Sequence, residues 1–294
     1  MQPVQARGVG ASLDQSRSKE NPVSDEQAPD RSASTATAPI TASVSIAPAG
    51  EGTVTAAILV IGDEILSGRT KDRNIGTIAD HLTAIGIELA EVRIVGDRAP
   101  AIIGALNALR STYDYVFTTG GIGPTHDDIT ADAVASAFGV PIGEDPMALA
   151  LLAAHCERRS VPLTPPRRRM ARVPEGATLI KNVISAAPGF MLGNVIVMAG
   201  VPSVMEAMLE DATQHLRTGA RMHSFTIPLV RPEGDVAEIL SDAQAAHPDV
   251  IMGSYPSYTN GLARVELVLR SRDPVRLATA VRHLEAALRS CDIL

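Results

Sequence analysis

A glycine-rich turn set between an apolar run and a helical pattern constrains this chain more than any other feature. Residues 118–130 read TTGGIGPTHDDIT. They follow Tyr115, Val116 and Phe117 and precede Ala131, Val134, Ala135 and Phe138 at helical spacing. A strand that feeds a glycine turn and then a helix is an anion cradle. Gly120, Gly121 and Gly123 let the backbone turn sharply and approach a ligand, while the helix start presents free N–H groups and the positive end of its dipole. Asp127 and Asp128 place two carboxylates beside the cradle, a pairing that suits a divalent metal between acid and phosphate.

The turn sits within a repeating strand–helix order. Residues 56–61 form a continuous apolar run closed by Gly62, Asp63 and Glu64, as in a strand buried on both faces. Ile75, Ile78, Ala79, Leu82 and Ile85 recur at helical spacing up to Gly86, and residues 89–95 read as a second strand. Pro100 opens a helix carrying Ile102, Ile103, Leu106 and Leu109, and residues 115–119 are the third strand. A helix near 146–159, a short strand near Thr178, a strand at 195–198 and a helix after Pro202 follow. The expected fold class is α/β: a three-layer, mostly parallel sheet whose ligands sit at the carboxyl ends of its strands.

From about residue 219 the pattern changes. A strand at 225–230, a helix at 236–246, a strand at 250–253, an alternating strand at 264–270 and a helix capped by Asp273 spell a smaller β-α-β-β-α domain. Residues 1–53 are rich in Ser, Ala, Pro and Thr and nearly free of large apolar side chains, so a disordered tail is expected there. The expected division is therefore 1–53, 54–218 and 219–294.

Composition narrows the function. A net charge of -7 argues against general nucleic-acid binding, which rests on neutralising phosphates, and 3% aromatic residues leave few stacking surfaces for single strands. Cys156 and Cys291 are too few and too far apart for a disulfide framework or a cysteine metal site. No apolar run approaches the ~18 residues of a membrane helix, and no secretory signal opens the chain. A cytoplasmic protein without membrane or nucleic-acid partners is the expectation.

Acidic residues fall at three predicted strand ends: Asp63 with Glu64, Asp97, and Asp127 with Asp128. Parallel neighbouring strands would gather them at one edge around the glycine turn. Each Asp could instead cap the helix after it, and both readings stand. Arg167, Arg168, Arg169 and Arg172 form the dense basic run, either a phosphate clamp or a solvated face. His126, inside the turn, is a candidate metal ligand or general acid.

GDEILSGRTKDRN (62–74), the DR at 97–98 and TTGGIGPTHDDIT together resemble the molybdopterin-binding (MoCF) family. Within it the chain is similar to the N-terminal part of competence/damage-inducible protein A (CinA) and to the related domain of FAD synthases. RMARVPEGATLIKN (169–182), APGF (187–190), AGVPSVMEAML (199–209) and IMGSYP (251–256) extend the likeness over about residues 56–290. The resemblance implies a three-layer domain followed by a small α/β domain. It implies a phosphate-bearing nucleotide or pterin ligand held by Gly120, Gly121, Gly123, Pro124, Thr125 and Thr130, with Asp63 and Glu64 beside it. Asp97 and Asp128 match the functional carboxylates, and Asp127 with Asp128 would hold a divalent metal, Mg²⁺, Mn²⁺ or Co²⁺. The implied activity is metal-dependent hydrolysis of ADP-ribose or FAD; in the molybdenum-cofactor branch it is pterin binding or adenylyl transfer. A homo-oligomer, dimer or trimer, is implied as well. Where many relatives have proline, this chain has Ala199, which loosens that turn. The sequence to Leu294 includes no match to the deamidase domain of longer relatives, so nicotinamide-nucleotide deamidation is not expected of it. The small domain of CinA is described as KH-like, but Gly253-Ser254-Tyr255-Pro256 forms no GxxG clamp for RNA.

Overall fold

Every large residue of β1 (Val54–Ile61) is buried, and its alternating side chains enter two different cores. The computed structural model describes residues 53–294; the tail expected over 1–53 lies, but for Thr53, outside the described residues. After β1 come the one-turn α1 (Asp63–Leu66), α2 (Asn74–Ala84), β2 (Ile87–Val95), α3 (Ala99–Thr112), β3 (Tyr115–Thr119) and α4 (Thr130–Phe138). Ala57, Leu59 and Ile61 face Ile102, Leu106 and Leu109 of α3 and Val134 of α4. Ala56, Ile58 and Val60 face Ile78 and Leu82 of α2 on the other side. A strand covered on both faces must be apolar throughout, which is why β1 shows no alternation.

The chain continues through β4 (Ile142–Glu144), α5 (Pro146–Arg158), α6 (Pro165–Arg169), β5 (Arg172–Pro174), β6 (Thr178–Ile180), β7 (Gly189–Leu192), β8 (Val195–Met198) and α7 (Pro202–Ala212). The larger sheet has the order β2-β1-β3-β8-β7-β6. Its β2, β1, β3 and β8 are parallel, whereas β8–β7 and β7–β6 are antiparallel, so the sheet is mixed, with β7 alone running against the other five strands. The reason is local. Only Gly193, at φ 57°, and Asn194 separate β7 from β8, and two residues can close a hairpin but cannot make a parallel crossover. The register pairs Val60 with both Ile94 and Thr119, so β1, β2 and β3 end level. A separate ribbon, β4 against β5, pairs Glu144 with Arg172.

A third core belongs to β9 (His223–Leu229), α8 (Ala237–Ala246), β10 (Ile251–Thr259), β11 (Leu262–Ser271) and α9 (Pro274–Ser290). Its antiparallel sheet runs β10-β11-β9. Val265, Leu267 and Leu269 pack against Leu277, Leu284 and Leu288 of α9, whose first turn is capped by the Asp273 carboxylate accepting from Val275 N at 2.8 Å and Arg276 N at 3.2 Å. β10 runs six residues past the expected end at Gly253, up to an Asn260-Gly261 hairpin turn in which both residues have positive φ. Arg272 links this region to the larger sheet through Glu88 of β2, Nη2 to Oε2 at 3.1 Å.

Candidate functional site

The level ends of β1, β2 and β3 bring the loops after them together. After β1, Gly62 turns the chain and its N–H donates to Val95 O at 3.0 Å. The Asp97 carboxylate, after β2, accepts the Asp63 N–H at 2.8 Å. Asp97 thus caps α1, the short helix of the neighbouring loop, and not the helix that follows it in sequence. Asp63 lies against Gly96, where an added Cβ would stand 2.2 Å from its Oδ1, and the Glu64 carboxylate folds back over Gly62. These acids pack on glycines, and that close approach is available only without a Cβ.

The glycine turn after β3 is drawn tight. Gly120, at φ 100°, passes so near β1 that an added Cβ would sit 2.1 Å from Ile61 O. Gly121, at φ 67°, meets Thr130, whose N–H donates to Gly121 O at 2.9 Å and whose buried hydroxyl donates to Gly120 O at 3.0 Å. Thr130 therefore points inward and closes the loop. Asp128 packs over Gly123, and its Oδ2 accepts from the Thr125 N–H at 2.8 Å and the Thr125 hydroxyl at 2.5 Å. Pro124, Thr125, His126 and Asp127 form an exposed crown. The His126 ring is almost wholly exposed, 3.9 Å from Asp127.

The arginine run divides. Arg167 bonds the Pro162 carbonyl and Arg168 pairs with Glu144, away from the turn. Arg169 donates to the Asp128 carbonyl at 3.0 Å and lies 3.7 Å from Asp132, while Arg172 makes a two-point contact with Asp132. Gly121, Gly123, Asp128, Asp132, Arg169 and Arg172 share one cleft. Asp132 is the participant that sequence reasoning missed. Its signal was only its place in the first turn of α4, where an acid is favoured by the dipole anyway.

On the opposite side of the turn lies a second cleft, lined by Lys71, Arg73, Asn74, Thr119, Gly200 and Pro202. Gly200 belongs to the 199–201 loop, and an added Cβ there would come 3.3 Å from Gly120 Cα. Among the described residues no three His, Cys, Asp or Glu side chains converge as a metal-ligand set. Asp63, Asp97 and the Asp127–Asp128 pair do share the edge, although Asp97 and Asp128 are each engaged with a backbone N–H.

A taut glycine turn, flanked by acids and by two arginines, stands at the strand ends of this α/β protein. Residues 57–218 match the family model described as "Probable molybdopterin binding domain", and residues 221–293 match that described as "FAD synthase, middle domain". The chain belongs to the molybdopterin-binding domain family. It is 33% identical to an Aeropyrum pernix protein over 81% of this chain and 93% of that one. It is 37% identical to a CinA-like protein of Desulfosudis oleivorans over 67% of this chain, but it spans only 51% of that longer relative. The crystal structure of CinA from Thermoplasma acidophilum, of unknown function, superposes with a TM-score of 0.51 at 33% identity, covering 55% of this chain and 98% of that one. Among the described residues no helix is long and apolar enough to cross a membrane.

Proposed function

We propose that the chain binds a phosphate-bearing pterin or nucleotide at the glycine turn, as a molybdopterin- or nucleotide-binding protein. One observation carries the reading: the bare backbone at Gly121 and Gly123 shares a cleft with Arg169 and Arg172, both held in place by Asp132. Backbone N–H groups and a guanidinium fork are complementary to phosphate oxygens, and fixing the arginines beforehand lowers the entropy of ordering them on binding. The test is calorimetric titration of the purified chain with molybdopterin, ADP-ribose and FAD, in EDTA and again with Mg²⁺. Binding of at least one ligand, weakened in Arg172→Ala, is the expected result. Failure of all three to bind folded protein sinks the proposal.

A second reading, metal-dependent hydrolysis of ADP-ribose or FAD, draws on the charge along the same edge. Asp63, Glu64, Asp97, Asp127 and Asp128 stand along it, and Asp132 already engages both arginines of the first cleft, so a diphosphate there calls for a counter-cation as well as backbone donors. The donor set fits an ion of the Mg²⁺ type, which takes one or two carboxylates and completes its shell from phosphates and water. Asp127 and Asp128 would hold it, and it would supply charge neutralisation and a more acidic bound water. In the reaction, water adds to one phosphorus and the bridging P–O bond breaks, releasing AMP and a second phosphomonoester. AMP release measured with Mg²⁺, Mn²⁺, Co²⁺ or EDTA, beside Asp128→Asn and Asp97→Asn, decides it. No AMP with any metal leaves binding alone.

A further inference from the structure

Asn74 opens α2 and is only 4% exposed. Its Nδ2 donates to Gly200 O at 2.9 Å, which settles the orientation of the amide, since the reversed group would set oxygen against oxygen. The Oδ1 that remains is buried and, among the described residues, has no hydrogen-bond partner. A buried acceptor without a donor is destabilising, and such groups are rare unless something else completes them. This atom belongs to a residue lining the second cleft, across the turn from Arg169 and Arg172.

The rest of that cleft says what kind of donor fits. Lys71 and Arg73, both exposed, stand at its rim within three residues of Asn74, beside Glu64 and Asp72, the latter engaged by the Ile75 N–H at 2.8 Å; the rest of the wall is largely aliphatic, with Val60, Ile61, Ile65 and Pro202 and no aromatic ring. A base would find no stacking face there. A sugar phosphate matches better, because it carries hydroxyl donors a few bonds from its anionic oxygens. We propose that the second cleft seats the ribose phosphate of a nucleotide ligand, with a ribose hydroxyl donating to Asn74 Oδ1 and Lys71 and Arg73 facing its phosphate. This rests on the ligand reading above and adds Asn74 as a specificity-determining residue.

The test is titration of the unaltered chain with ADP, 2′-deoxy-ADP and 3′-deoxy-ADP, with ADP-ribose run in parallel. Loss of one particular hydroxyl should weaken binding by at least about tenfold, because a site built to accept that hydroxyl is left unpaired without it. In Asn74→Ala the ribo and deoxy ligands should bind alike. In Lys71→Ala with Arg73→Ala, all three should weaken together while the hydroxyl preference persists. Equal affinity of ADP and both deoxy analogues for the unaltered chain overturns the assignment of Asn74 and leaves the glycine-turn reading intact. Absence of binding by the ADP series while ADP-ribose binds has the same consequence, and absence of binding by all four overturns the nucleotide reading with it. Because the ligand series uses unaltered protein, it decides the matter even if Asn74→Ala does not fold.

Discussion

Arg172 grips Asp132 at two points, Nη1 to Oδ2 at 2.9 Å and Nη2 to Oδ1 at 2.7 Å, and so ties the β4–β5 ribbon to the helix that leaves the glycine turn. Both side chains keep about a third of their surface in solvent, so the pair contributes little to stability and much to where the guanidinium stands. Arg172→Ala should change unfolding free energy by no more than about 1 kcal/mol. It should weaken binding of a phosphate-bearing ligand by roughly tenfold, the scale of one charge-assisted hydrogen bond. Urea denaturation and calorimetric titration of the same preparation separate the two effects, and a large stability loss with unchanged affinity would reverse the assignment.

Gly120 is the residue of the turn least able to accept a side chain. Its φ of 100° lies where L residues are strained, and the Cβ of an alanine would meet the Ile61 carbonyl, backbone that cannot swing away. Gly120→Ala should destabilise the chain by more than about 2 kcal/mol. Thermal unfolding checks this, with Gly104→Ala in α3 as the control: the added methyl there meets nothing within 4 Å and should stabilise the helix by about 0.5–1 kcal/mol.

His81 supplies a pH dependence. Burial pushes its pKa below the ordinary 6.5, partly offset by the Glu210 carboxylate, and its Nε2 lies 2.7 Å from the hydroxyl of Thr213, the residue just past α7. A histidine kept neutral in the fold binds fewer protons there than in the unfolded chain. Its contribution is therefore complete above pH 6.5 and is lost as pH falls from 6.5 toward the lower folded value. Chemical denaturation from pH 7.5 down to pH 5 should show a falling stability whose slope is reduced in His81→Gln. An identical slope in the variant would remove His81 from the account.

Asp273 caps the longest helix of the third core through two N–H groups. Asp273→Ala should cost about 1 kcal/mol, with Asp273→Ser recovering most of it, because serine also offers a capping oxygen. Asp273 also lies 3.3 Å from the Arg276 side chain, an exposed contact that a serine does not replace. The serine variant therefore separates the cap from the ion pair.

Elements with a strong local period were legible. The level strands β1 and β3, the helices α2, α3, α5, α7 and α9, and the cap at Asp273 all follow from spacing and composition. The strands that escaped were short or ran on past a glycine. β7 has four residues beginning at Gly189, yet Gly193-Asn194 between two apolar runs was a hairpin signal in plain sight. Asn260-Gly261 was a second such signal and marks where β10 ends. The ribbon β4–β5 has three residues on each side, too few for any period to show.

What the sequence determined by itself was the chemistry available at the strand ends: glycines at 120, 121 and 123, acids at 63, 97, 127 and 128, and arginines at 169 and 172. Which of these meet was decided by the tertiary structure alone. Asp97 reaches the Asp63 amide because β2 and β1 are parallel neighbours ending level, and Arg172 reaches Asp132 because a two-stranded ribbon returns to α4 from forty residues away. Asn74 meets Gly200 across 126 residues. Periodicity reports on a few adjacent residues, whereas these contacts depend on strand order and register, which are set by burying both faces of one sheet at once.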